Sequence, residues 1–343
     1  MTRTTPPRPL DVEALFPELA AFRGTTTRLH PRPGDPGPGD SSVGGPMLWP
    51  AEEPWPLCDE AHGRGRGRRT ADIHRSRRIL AASWARERSP GPTDEERDLL
   101  RELSRDHVIP GASETDPLPM VGLAQLYRRD VPDLAGPAGC DLLQVFWCPF
   151  PAHGPGRNEL EIHLRWRRSG QVGDVLAAPP RPAVVGSDDL VPEPCALHPE
   201  QVVTYPDAGV LPAELRARID AWEEALEEEA GRPADGRATT PPPGYQYDLS
   251  IPPGWRVGGF ASWHRTDPYP MDCLVCGTPM RLLLTVDSSE WDGGSGSWKP
   301  VEDRDLPTHR YAAPTHVIAG SSRELHVFVC AGEPTHPHRW CFQ

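Results

Sequence analysis

Val43-Gly44-Gly45-Pro46-Met47-Leu48-Trp49 and Val257-Gly258-Gly259-Phe260-Ala261-Ser262-Trp263 share a Val-Gly-Gly start and a tryptophan at the same spacing. Each is followed by an aromatic residue between prolines, Pro54-Trp55-Pro56 and Pro268-Tyr269-Pro270, and then by a cysteine, Cys58 or Cys273. Further along, Pro119-Met120 answers Pro279-Met280, and Leu143-Gln144-Val145-Phe146-Trp147-Cys148 answers Leu325-His326-Val327-Phe328-Val329-Cys330. Echoes at this period imply a duplicated supersecondary unit. The pattern therefore predicts two homologous modules.

The three pairs lie 214, 160 and 182 residues apart, so the first copy carries an insertion at about 59–118 and the second one at about 288–320. Leu160, Ile162, Leu164 and Trp166 alternate with polar residues, which is the pattern of a half-buried strand. Leu143 to Trp147, Leu325 to Val329 and Arg281 to Asp287 read as strands too. Arg339-Trp340 echoes Arg165-Trp166 and predicts a last strand. Leu211, Leu215, Ile219, Trp222 and Leu226 repeat at helical steps and place an amphipathic helix at 211–229. Within the insertion, Thr93 and Glu96 form a capping-box signature inside a helical hairpin over 71–106.

The expected fold class is α+β and β-rich, with two antiparallel-sheet modules. Residues 1–40 are read as a tail with a short helix, 41–205 as the first module and 206–250 as helix plus linker, leaving 251–343 as the second module. Proline and glycine favour irregular connections at 31–46 and 231–254.

Cys273-Leu274-Val275-Cys276-Gly277 is half of a zinc knuckle: two thiolates two residues apart grip one tetrahedral ion, and the glycine permits the turn behind them. Cys330 and His336 are the expected completing ligands, with His338 and Cys341 as alternates. A weaker second set comprises Cys58, His62, Cys148 and His153, to which Cys195 and His198 are further candidates. Zinc is the expected cofactor, in a structural role and close to one ion per chain.

Val257-Gly258-Gly259 with Trp263, Cys273 to Met280 and Leu325 to Cys330 together resemble the YwqG-like family of bacterial proteins. Leu123-Ala124-Gln125-Leu126-Tyr127 and Phe146-Trp147-Cys148-Pro149-Phe150 of the first copy strengthen the resemblance to that family and to the wider group with the eukaryotic programmed-cell-death-2 proteins. The resemblance implies a duplicated β-rich module, a chaperone-like role toward a nascent ribosomal protein in eukaryotic relatives, and an immunity role in bacterial ones. The chain departs from the family in having Thr285 where the first copy has Gln125, and a histidine as fourth metal ligand.

A net charge of −13 disfavours wholesale binding to nucleic acid or anionic membranes and suits a basic protein partner. Nine arginines between Ala61 and Pro90 are a local exception that keeps RNA binding as an alternative, although only Trp84 offers a stacking surface there. No apolar run has the length of a membrane span and the start lacks a signal-peptide core, which predicts a cytoplasmic protein with reduced cysteines. Hydrolase, phosphate-binding and dinucleotide motifs are absent from the sequence. The expected function is a non-catalytic protein-binding module, chaperone-like toward a basic client. The alternatives are an immunity protein of a bacterial toxin system and an RNA-binding or RNA-processing factor.

Overall fold

A computed structural model describes residues 2–63, 65–86, 90–154, 159–231, 242–320 and 324–343. Two six-stranded antiparallel sheets dominate it, with few helices, giving an α+β chain. The first sheet runs Ile162–Arg167, Leu142–Trp147, Val121–Tyr127, Ser42–Val43, Cys195–Ala196, Arg32–Pro33. The second runs Arg339–Phe342, Glu324–Cys330, Met280–Asp287, Arg256–Val257, Gly24–Arg28, Glu200–Thr204.

Their registers correspond. Val43 opposes Ala124 and Val257 opposes Leu284, while Ala124 opposes Val145 and Leu284 opposes Val327. In each sheet a bulge interrupts the long pair, between Gly122 and Ala124 in one and between Leu282 and Leu284 in the other. The extra residue is Leu123 or Leu283, and its carbonyl accepts the amide of Gly44 (2.9 Å) or Gly258 (3.1 Å). Both glycines have positive φ, +63° and +69°, which a side chain would disfavour. The Val-Gly-Gly segments are thus the turns that dock onto the bulges.

The Arg-Trp echo is a correction. Arg165 opposes Gln144, whereas Arg339 opposes Phe328, and the residue opposite His326 is Cys341. Arg339–Phe342 is a strand as expected, but its Arg-Trp pair is displaced by two residues relative to Arg165-Trp166.

Sheet boundaries cut across the segments expected from sequence. Gly24–Arg28, read as part of a tail, and Glu200–Thr204, read as first module, form the edge of the second sheet. The chain passes from Arg28 to Arg32 into the first sheet, and from Ala196 to Glu200 back into the second. The two crossings are joined where the His198 amide donates to Leu29 O at 2.9 Å. One apolar core spans both sheets, from Val43, Leu123 and Val145 to Val257, Leu284 and Val327. Burial of this shared core, at roughly 25 cal/mol per Å² of apolar surface, favours one folding unit over two separable ones.

The expected helices form at Thr70–Trp84, Asp94–Leu103 and Ala213–Ala230. Thr93 and Glu96 make the capping box in both directions. The 70–84 helix is held by Ile73 against Val185 and Val191, and by Arg77, which bonds Glu193 at 2.9 Å and three backbone carbonyls. The 213–230 helix buries Leu215 and Ile219 against Phe16, Tyr205 and Tyr245. Residues 232–241 of the expected irregular connection lie outside the described residues; at its far end Tyr245–Ser250 coils into a short π-helix.

Candidate metal centres

Strand ends bring the cysteines together. Cys330 closes the Glu324–Cys330 strand, and Cys148 follows directly on Leu142–Trp147. Opposite Cys330, the Cys273 amide donates to Thr278 O (2.9 Å) and the Gly277 amide to Cys273 O (2.8 Å), with Gly277 at φ +69°. This tight turn points both thiols of the Cys-x-x-Cys segment toward Cys330. Cys58 ends its own short pairing with Leu118–Pro119, and His62 and His153 reach in from the loops beyond.

Two four-residue sets result: Cys273, Cys276, Cys330 and His336, and Cys58, His62, Cys148 and His153, each with its ligand atoms within 4.8 Å of one another. In the first of these, Cys276 Sγ lies 3.5 Å from Cys330 Sγ, and Cys273 Sγ 3.4 Å from His336 Nδ1. In the other, His62 Nε2 lies 3.4 Å from both Cys58 and Cys148, and His153 Nε2 3.8 Å from Cys58. A tetrahedral ion with metal–sulfur bonds of about 2.3 Å and metal–nitrogen bonds of about 2.0–2.1 Å has edges of about 3.3–3.8 Å. Both donor sets fit such an ion.

The alternates fall elsewhere. His338 faces Glu161 and His163, and Cys341 opposes His326 within the sheet. The Cys195 thiol bonds Pro314 O, in the core.

One thiol in each centre is driven toward the thiolate, while Cys330 is shifted the other way, against the bond from the Glu333 amide, by burial and by its neighbours Cys276 and Cys273. Hydrogen bonding by Cys148, then by His153 and His62, pulls the Cys58 thiol down to about 3 against the opposing effect of burial. The Thr278 hydroxyl and amide, with Cys330, bring Cys276 to about 6. For His153, burial works against the charged form, yet its bonds to Cys58 and Glu60 raise it. Its Nδ1 meets Glu60 Oε2 at 3.0 Å, a carboxylate–histidine pair of the kind that orients metal ligands. Sequence reading did not single out Glu60; its place two residues after Cys58 is the only local signal.

The two centres differ in setting. All four residues of the Cys58 set are buried, beside Met47, Met120, Phe146 and Phe150, whereas Cys276 is exposed. Trp49 and Trp55, 5.3 Å apart, pack in the apolar cluster that holds Cys58 and Cys148, and in the second segment Trp263 and Tyr269 pair at 5.0 Å.

Behind the centres, each sheet carries a buried polar layer. In the first, Gln144 donates to Gln125 (2.8 Å) and accepts from Arg167 (2.7 Å), which pairs with Glu53. In the second, Arg256 donates to Thr285 (2.7 Å) and pairs with Glu324, while His326 contacts Thr285 and Ser262 at 3.1 Å. Thr285 does stand opposite Arg256 as Gln125 stands opposite Ser42. Among the described residues no helix is long and apolar enough to cross a membrane. A scan against protein-family models found no match for this chain, and a search of curated proteins found none either.

Proposed function

We propose that both cysteine–histidine sets are structural zinc centres and that the chain is a non-catalytic protein-binding module, chaperone-like toward a basic client. The observation that carries this reading is closure. Each set supplies four protein donors, whereas a catalytic zinc keeps a position for water. Zinc rather than a harder cation follows from the thiolate and imidazole donors. The chain's charge of −13 supports a basic partner. Matching registers and bulges support descent of the two sheets from one duplicated unit.

The RNA-binding alternative loses support because arginines of the insertion are engaged within the chain: Arg68 with Asp188, Arg77 with Glu193 and Arg86 with Glu96. Arg64 and Arg88 lie outside the described residues. An immunity protein would use the same scaffold against a toxin, and the captured partner's identity separates the two readings.

The test is affinity capture with the tagged full-length protein from its native cells, washed over a salt series. A basic protein retained at low salt and released as the screening length falls below about 8 Å supports the reading. Retention of nucleic acid alone, or hydrolytic activity lost on mutating a metal ligand in a still-folded protein, overturns it.

A further inference from the structure

A cleft of about 830 Å³ opens on the polar face of the second sheet, away from both metal centres. Its lining includes Tyr247, His264, Asp287 and Glu324, drawn from four separate segments. Asp287 and Glu324 are directly opposed across the strand pair, so their side chains share one face. Both are largely buried, which is costly for carboxylates without partners.

Their partners differ. Glu324 pairs with Arg256 at 3.3 Å and lies 3.6 Å from His264. Asp287 accepts the amides of Gly254 (2.8 Å) and Ser289 (3.2 Å), and makes no ion pair among the described residues. Along one wall the rings of Tyr247 and His264 stack at 5.9 Å, only 5° from parallel, with Tyr247 well exposed. The Gln246 amide also lines the cleft, its nitrogen and oxygen both shielded from solvent and without a hydrogen-bond partner. A carboxylate outside any ion pair among the described residues, an aromatic wall and an unbonded amide are complementary to a planar cation: carboxylates bind guanidinium through its N–H fork, and aromatic faces stack on it.

We infer that this cleft is a receptor for a guanidinium group, an arginine side chain presented by the partner. The arginine as occupant rests on the basic-partner reading above; the affinity of the cleft for the group does not. Charge in the cleft sets a pH dependence. Burial first, and then the Glu324 charge, push Asp287 up to about 8. Glu324 and Glu290 face it as acids and Arg256 as a cation, with His264, Arg265 and Asp292 around the opening. The bond to Glu324 raises His264, and Asp292 is held low. A bound cation favours ionised Asp287 and neutral His264. Affinity therefore rises with pH through about 8.

The test titrates full-length, metal-loaded protein with Nα-acetyl-arginine amide (arginine amide below) by calorimetry or NMR at pH 6.5 and 9, with Nα-acetyl-citrulline amide (citrulline amide below) as the neutral isostere, the blocked α-amine removing any titration of the ligand itself. Arginine amide should bind at least fivefold more tightly at pH 9, and citrulline amide should not bind. Asp287→Asn should weaken binding at least tenfold at pH 9 and remove the pH dependence, and Tyr247→Ala, at an exposed position that does not threaten folding, should weaken it several-fold. No binding of arginine amide at either pH, equal binding of citrulline amide, or unchanged affinity in Tyr247→Ala and a folded Asp287→Asn overturns the inference. Any of these leaves the client reading to its own salt-dependent capture.

Discussion

The Nδ1 atom of His153 lies 3.0 Å from a carboxylate oxygen of Glu60, on the ring edge opposite the Nε2 that faces Cys58. An acceptor at Nδ1 holds the proton there and leaves Nε2 with its lone pair directed at the centre. Glu60→Gln should therefore lower zinc affinity at this centre about 10–100-fold, the usual effect of losing such a partner. A Cys276→Ser background isolates the centre, and chelator competition measures it. Unchanged affinity would reduce Glu60 to a surface carboxylate.

The full-length protein should carry two zinc ions, one more than the sequence led us to expect. Cys276→Ser and Cys148→Ser should each leave one. Cys148 sits in an apolar cluster with Met47, Trp49 and Phe146, so its centre cannot be vacated without stranding polar groups in a dry site. Thermal unfolding should drop further for Cys148→Ser than for Cys276→Ser, whose thiol is exposed. Metal analysis under reducing conditions gives the stoichiometry; equal drops in melting temperature would contradict the burial argument.

The knuckle was legible because its chemistry is local: two cysteines, a two-residue gap and a glycine at the turn. His336 stands in the loop before the last strand and His338 adjoins its start, and that strand exists, although the Arg-Trp echo that predicts it is two residues out of register. The weaker set was harder to read because a helical hairpin separates Cys58 and His62 from Cys148. The strands at Gly24–Arg28 and Glu200–Thr204 are hidden from sequence reading for a different reason. Their threonines, Arg28 and Glu200 lack an apolar alternation, and they are strands because each finds the other across 170 or more residues and Gly24–Arg28 also pairs with Arg256–Val257. The cleft has no motif at all, since Tyr247, His264, Asp287 and Glu324 meet only through the sheet.

The docking of Gly44 onto the bulge can be tested directly. A Cβ there would lie 2.9 Å from the Glu193 carbonyl oxygen, a backbone atom that cannot swing aside, and φ is +63°. Gly44→Ala should cost about 1–3 kcal/mol, the range for a non-glycine residue held in that region. Gly39→Ala, where nothing lies within 4 Å of the added carbon, is the control and should stay near wild type. Denaturant unfolding of the pair measures the difference; equal midpoints would remove Gly44 from the architecture.

Asp287 links stability to the cleft. Its folded-state value, raised to about 8 from an ordinary 3.8, means that the native state holds a proton which the unfolded chain has already released at neutral pH. Native stability contributed by this group is therefore complete below the unfolded value and is lost as pH rises through about 8. Asparagine cannot ionise, so the stability of Asp287→Asn relative to wild type should shift in the variant's favour between pH 6 and pH 9. Any fixed penalty, such as the loss of one of the two acceptors for Gly254 and Ser289, cancels in that comparison. Saturating arginine amide should raise the melting temperature of the wild type at pH 9 and leave the variant unmoved, because a ligand stabilises only the state that binds it. A difference between variant and wild type that stays constant over the pH range would show that Asp287 is already ionised at pH 6 in the folded protein, and would overturn the pH dependence assigned to the cleft.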